Sequence, residues 1–225
     1  MKNMLKLPIV CSIIFVAQAA IAETVVDVSP TAPDTNIEAS FTSGTASGYQ
    51  WRDNENSRRD LGQSFLADSS FTLDAFSFSA LGNVQAGASG ASFDVKIFES
   101  DNISLIGSAI STQSGTYLTS GSNPVSGNWI VFDLEDVALT AGNYYTIVLS
   151  WDSAGVQDQD QVFGMVSGNL YGDGSAWESS DGVNFSSLGG DLQFTVQSIP
   201  EPSTVALFLG VVAISVVARQ RRNRK

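Results

Sequence analysis

The sequence predicts an all-β domain: a β-sandwich, jelly-roll-like, of about nine or ten strands, with a helix at each end of the chain. Three observations predict it. Period-two alternation of apolar and polar residues recurs through the middle of the chain. Gly, Asn and Asp turns such as Ala141-Gly142-Asn143, Gly172-Asp173-Gly174 and Asp181-Gly182 separate the runs. No stretch between them carries a 3.6-residue period.

In chain order, 24–28 and 62–67 read as modest strands. The run 71–81 changes phase. Phe71, Leu73 and Ala75 share one face, Phe76, Phe78 and Ala80 the other, so a bulge or bend is expected near Asp74-Ala75-Phe76. Residues 92–97 put Phe93, Val95 and Ile97 on one face, and 106–111 is a weaker strand. The Ser-, Thr- and Gly-rich stretch 111–127 reads as a long loop or ragged hairpin. Residues 129–134 and 143–151 are apolar on nearly both faces and should be interior strands. Weaker runs follow at 162–166 and 176–179, and a clean alternation closes the domain, with Leu192, Phe194 and Val196 inward.

With 225 residues there is room for one domain of ordinary size plus end segments. There is no His, and Cys11 is the single Cys. That removes the usual triad base and the commonest zinc ligands, and no carboxylate pair stands out, so no enzyme is expected; an extracellular hydrolase, the last of the readings, would need two carboxylates converging in a cleft. All 23 acidic residues lie between Glu23 and Glu201, against Arg52, Arg58, Arg59 and Lys96 as the basic residues of that stretch. So acidic a middle repels phosphate backbones, which argues against nucleic acid as a partner.

The ends read as addresses. Lys2 and Lys6 precede an apolar run, and Ala20-Ile21-Ala22 fits small-x-small cleavage. Residues 1–22 are therefore a signal peptide for the secretion translocon, with Glu23 first in the mature chain. At the other end, Pro200-Glu201-Pro202-Ser203 leads into an uncharged apolar segment, 203–218, and then Arg219, Arg221, Arg222, Arg224 and Lys225. As a helix this segment spans roughly 24 Å, a short transmembrane span. The basic end should stay cytoplasmic.

This tail, 197–225, resembles the PEP-CTERM protein-sorting domain of Gram-negative bacteria, also named the ice-binding protein C-terminal domain. The resemblance implies recognition by an exosortase at Pro200-Glu201-Pro202. It also implies transit through the inner membrane and delivery to the cell surface or the exopolysaccharide matrix. Leu61-Gly62-Gln63-Ser64-Phe65, Phe132-Asp133-Leu134 and Asp191-Leu192 in turn resemble the choice-of-anchor β-sandwich ectodomains often joined to such tails. The middle domain is accordingly taken as 23–196.

Within it, Tyr49, Trp51, Tyr171 and Trp177 lie in Gly-, Ser- and Asp-rich segments and would form an aromatic platform for a glycan, with Asn169, Asp173, Glu178 and Asp181 as its polar edge. The alternative is that these rings fill the core. No cofactor is expected. Calcium would suit the carboxylates of Asp152, Asp158 and Asp160, or of Asp173, Glu178 and Asp181, but neither set has EF-hand spacing, and solvated acidic loops explain them as well. Arg52, Arg58 and Arg59, interleaved with Asp53, Glu55 and Asp60, read as a self-neutralising exposed loop; the second reading is a docking patch for anionic polysaccharide.

Overall fold

The structure is a computed structural model, and it describes residues 23–199 apart from 55–56, 83–85, 102–107, 119–125 and 153–158. The expected signal helix and transmembrane helix, with Ala20, Ala22, Pro200, Glu201, Pro202, Ser203 and the basic tail, fall outside the described residues. Among the described residues no helix is long and apolar enough to cross a membrane.

Among the described residues there are fourteen strands and one 3-10 turn at Ala86–Ala88. They are β1 Glu23–Ser29, β2 Ile37–Phe41, β3 Ser47–Asn54, β4 Ser57–Leu66, β5 Phe71–Ser79, β6 Ser92–Ser100 and β7 Ser111–Thr116. Then come β8 Trp129–Leu139, β9 Tyr144–Trp151, β10 Gln159–Ser167, β11 Ala176–Ser179, β12 Ser186–Ser187, β13 Gly190–Leu192 and β14 Phe194–Ser198.

The all-β class stands; the jelly-roll sandwich does not. Twelve strands make one hydrogen-bonded path, β13-β10-β3-β4-β9-β6-β7-β1-β8-β5-β14-β2, with β11 and β12 as a branch from β4. A sandwich needs two separate sheets. Here β1 joins them: Glu23 and Thr24 run parallel to Ser114 and Gly115 of β7, while Val25–Ser29 runs antiparallel to β8. The path also nearly closes. β13 stands at one end and β14 one strand from the other, yet Gln193 alone separates them in sequence. Its N–H donates to the Gly164 carbonyl (2.8 Å) and its carbonyl accepts from Ser79 (3.0 Å), and Ala80 bridges Phe163. The result is a barrel-like sheet in which β2 is left as a free edge.

The expected phase slip is present. Register shifts between Leu73 and Ala75 on both partners of β5, β8 and β14, leaving Asp74 unpaired. β9 is central, between β4 and β6, and is buried on both faces. Inside the barrel, the Trp51 and Trp151 rings stack at 3.7 Å and 6°, and Tyr117 meets both edge-on. Phe93 and Phe132 continue this cluster toward Phe76. The buried Tyr117 hydroxyl donates to Gln161 (3.1 Å), and burial pushes its pKa well up.

Candidate functional site

The four aromatics do not converge. Trp51 is fully buried in the aromatic core, and Trp177 is 1% exposed, opposite Gly62 of β4. Neither ring has a face for a sugar. Their indole N–H groups, like that of Trp151, are buried with no partner among the described residues, whereas a buried indole N–H usually has one. Tyr171 is half-buried against Phe41 and Phe194, and Asp191 accepts from its backbone N–H (2.9 Å). Tyr49 alone of the four joins a polar cluster.

That cluster is built by two hairpins. The first is β3–β4, in which Arg52 lies opposite Arg59 and Asp53 opposite Arg58. These residues are therefore strand residues and half-buried, rather than an exposed loop. The second is β11–β12, which attaches through the pairing of β11 with β4, where Glu178 faces Leu61 and Ser179 faces Asp60.

The intervening turn is held by the Asp181 carboxylate, which accepts from the N–H groups of Val183 (2.9 Å) and Asn184 (2.7 Å), the Asn184 side chain (2.6 Å) and Ser179 Oγ (2.9 Å). These donors hold the charged form and keep its carboxyl well below the usual range. Gly182 has φ +74°, and a Cβ there would meet Asp60 Oδ2 at 3.2 Å and Arg58 Nη2 at 3.3 Å, so the turn needs glycine to lie on that ion pair.

Between the hairpins is a cleft of about 280 Å³. Arg52, Ser57, Arg58 and Arg59 form one wall; Glu178, Ser179, Ser180, Asn184 and Ser186 form the other. Arg58 is anchored by Asp60, with Nε to Oδ1 at 3.0 Å and Nη2 to Oδ2 at 3.2 Å. Asp60 is buried and also accepts from Ser150 Oγ (2.7 Å). Burial raises its carboxyl pKa, and Arg58 and Ser150 oppose the rise.

Arg59 approaches Glu178 through Nε (3.0 Å) and lies 4.5 Å over the Tyr49 ring. Tyr49 donates to the same carboxylate (2.7 Å); burial and that bond push its hydroxyl up to about 12. Arg52 Nη1 donates to Gln50 (3.1 Å), and Gln50 donates to Asp160 (2.9 Å). No ion pair joins Arg52 to a carboxylate among the described residues.

The acidic sets weighed for calcium are spent or scattered. Glu178 serves Tyr49 and Arg59, Asp181 serves its own turn, and Asp158 lies outside the described residues. Among the described residues no three potential ligands are gathered to hold a metal. The arginine wall was visible in the sequence as three of the four basic residues of 23–201 packed into eight positions. The opposite wall was not, because only strand pairing brings Glu178 and Asn184 to it.

No family model and no curated protein matches the chain. Among solved structures it is similar to the cysteine protease and lectin-like domains of Cwp84, a surface layer associated protein of Clostridium difficile, at 10% identity and a TM-score of 0.39. The match covers 75% of this chain and 37% of that one, so the chain spans well under half of its length. A likeness at that score carries no argument about fold or function. The class rests on the molecule itself: an all-β domain with a polar, arginine-walled cleft.

Proposed function

We propose that this chain is an exported protein of the cell surface or exopolysaccharide matrix of a Gram-negative bacterium, sorted through its PEP-CTERM-like tail, and that its β domain is a non-catalytic binding module. One observation carries the reading. Pro200-Glu201-Pro202-Ser203, an apolar segment and an arginine-rich end occur together, in order, behind a chain that starts with a signal-peptide pattern. Cleavage at both motifs removes none of the described strands. On this reading the partners are the secretion translocon, then an exosortase in the inner membrane.

Intact mass with terminal peptide mapping, on membranes and culture medium separately, tests it. Expected is surface or medium material starting near Glu23 and ending around 200–203. Surface protein that keeps Lys225 overturns the sorting reading.

The second reading, carbohydrate binding, is favoured by the cleft rather than by the aromatic platform first considered. Arginine, serine and asparagine side chains from two hairpins converge there on space open to a ligand. No observation favours a hydrolase.

A further inference from the structure

We infer that the cleft between the β3–β4 and β11–β12 hairpins is a binding site for a carboxylated sugar unit of an anionic polysaccharide; this deepens the carbohydrate reading above.

The first ground is the placement of charge. Three of the four basic residues between Glu23 and Glu201 line this one cleft. General solvation would scatter them over an acidic surface.

The second is a local conflict. Arg52 and Arg59 are directly opposed across the β3–β4 ladder, and like charges in that position destabilise a strand pair. Arg58 is taken up by Asp60, and Arg59 turns Nε to Glu178. Arg52 donates to a neutral amide, Gln50, and faces Asp160 across the β3–β10 ladder without an ion pair; the Asp160 charge acts on both Arg52 and Arg59, while Arg52 Nε and Asp160 Oδ1 are buried with no hydrogen-bond partner among the described residues. A buried donor on a charged group is costly to leave unmade. Asp160 offsets part of the repulsion, and a carboxylate seated in the cleft between Arg52 and Arg59 relieves what remains.

The third is the match of chemistry. A planar guanidinium suits the two oxygens of a carboxylate. Ser57, Ser186 and Asn184 around it offer donors and acceptors for sugar hydroxyls. Stacking is not on offer, since Arg59 covers Tyr49 and the two tryptophans are buried. At about 280 Å³ the cleft falls just below the ~300–1,000 Å³ usual for ligand sites. It fits a single unit of a chain, and the acidic surface around it holds the rest of the polymer away. Binding is therefore modest and weakens with salt.

Titration calorimetry on the full chain in detergent tests this, with oligogalacturonate, its methyl ester and dextran sulfate as probes. Oligogalacturonate should bind, the methyl ester should not, and dextran sulfate should bind at least tenfold more weakly. Arg52→Ala should weaken oligogalacturonate binding at least tenfold with an unchanged circular dichroism spectrum, and Arg52→Lys should restore only part of it. Equal binding of the methyl ester, equal binding of dextran sulfate, or full affinity in Arg52→Ala overturns the proposal. Purified protein gives these results whichever way the tail is processed, so a failure here and a failure of the sorting reading are separate events.

Discussion

Trp51 and Arg52 are neighbours on one strand and live in opposite worlds. Trp51 is sealed inside the barrel, stacked on Trp151 and ringed by Tyr117, Phe93 and Phe163. Arg52, one residue on, reaches the polar cleft. The period of two along a strand is all that separates them. The core is made of rings in close contact, and even its Trp51 and Trp151 N–H groups have no partner among the described residues; the cleft is made of charges and hydroxyls. Stability and recognition therefore sit on two faces of the same hairpin and can be changed one at a time.

The largest effect that sharpens this contrast is Trp51→Ala. Emptying a buried tryptophan site costs about 3–5 kcal/mol, or on the order of 10 °C in Tm for a domain of this size. Thermal unfolding followed by circular dichroism reads it, and an unchanged Tm would break the division between core and cleft.

Next is Gly62→Ala, beneath Trp177. Its Cβ would meet the Ile147 carbonyl at 2.7 Å and Val148 Cγ2 at 2.9 Å. Overpacking of this kind costs about 1–3 kcal/mol, seen as a lower denaturant midpoint.

A smaller effect comes from pH. Burial raises the carboxyl pKa of Asp53, Asp60, Asp74, Asp160 and Asp191. A carboxyl with a raised folded-state pKa holds its proton more tightly folded than unfolded. Its contribution is full below the ordinary carboxylate range and is lost as pH climbs through the raised value. Tm should therefore rise as pH falls from 7 to about 4, the opposite of ordinary acid denaturation. Asp60→Asn should flatten part of that rise. A Tm that drops steadily over the same window would show that paired carboxylates, rather than desolvated ones, govern this domain.

The smallest effect on stability should come from the cleft itself. Arg59→Ala removes a partly exposed ion pair and one cation–π contact, each worth about 1 kcal/mol or less. Its Tm should stay within a few degrees of the parent. A loss as large as that of Trp51→Ala would make the arginine wall a structural element.

Strands with large side chains were legible in the sequence. Leu192, Phe194 and Val196 are buried as their alternation requires, and the Asp74 slip marks a real register shift. β7 was only half legible, since 111–127 read as a long loop or a ragged hairpin. It has no large apolar residue because Gly115 lies against Phe93 and the Thr24 carbonyl, where a Cβ would come within 2.9 and 2.6 Å of them. β3 was hidden likewise, its Gly48 fitted against Val162. The near-closure of the sheet was invisible for a different reason. Alternation says which face of a strand is buried and nothing about which strand lies beside it. The cleft was half legible: its arginines are close in sequence, while its second wall arrives from about 120 residues away.

The single residue Gln193, set between the two strands that bring the ends of the sheet together, bears on time as well as shape. β1 waits for β7 and β8, β2 waits for β14, and β10 waits for β13, so the ring cannot be stitched until the last strands of the domain are at hand. Pairing between such distant segments is slow, because long loops must close before any contact rewards them. A chain that threads a narrow pore has to remain uncoiled until its tail is through. On the export route proposed above, the topology would impose that delay: the final stitch is made by β13 and β14, which would leave the pore last, ahead of the segment expected to stop in the membrane.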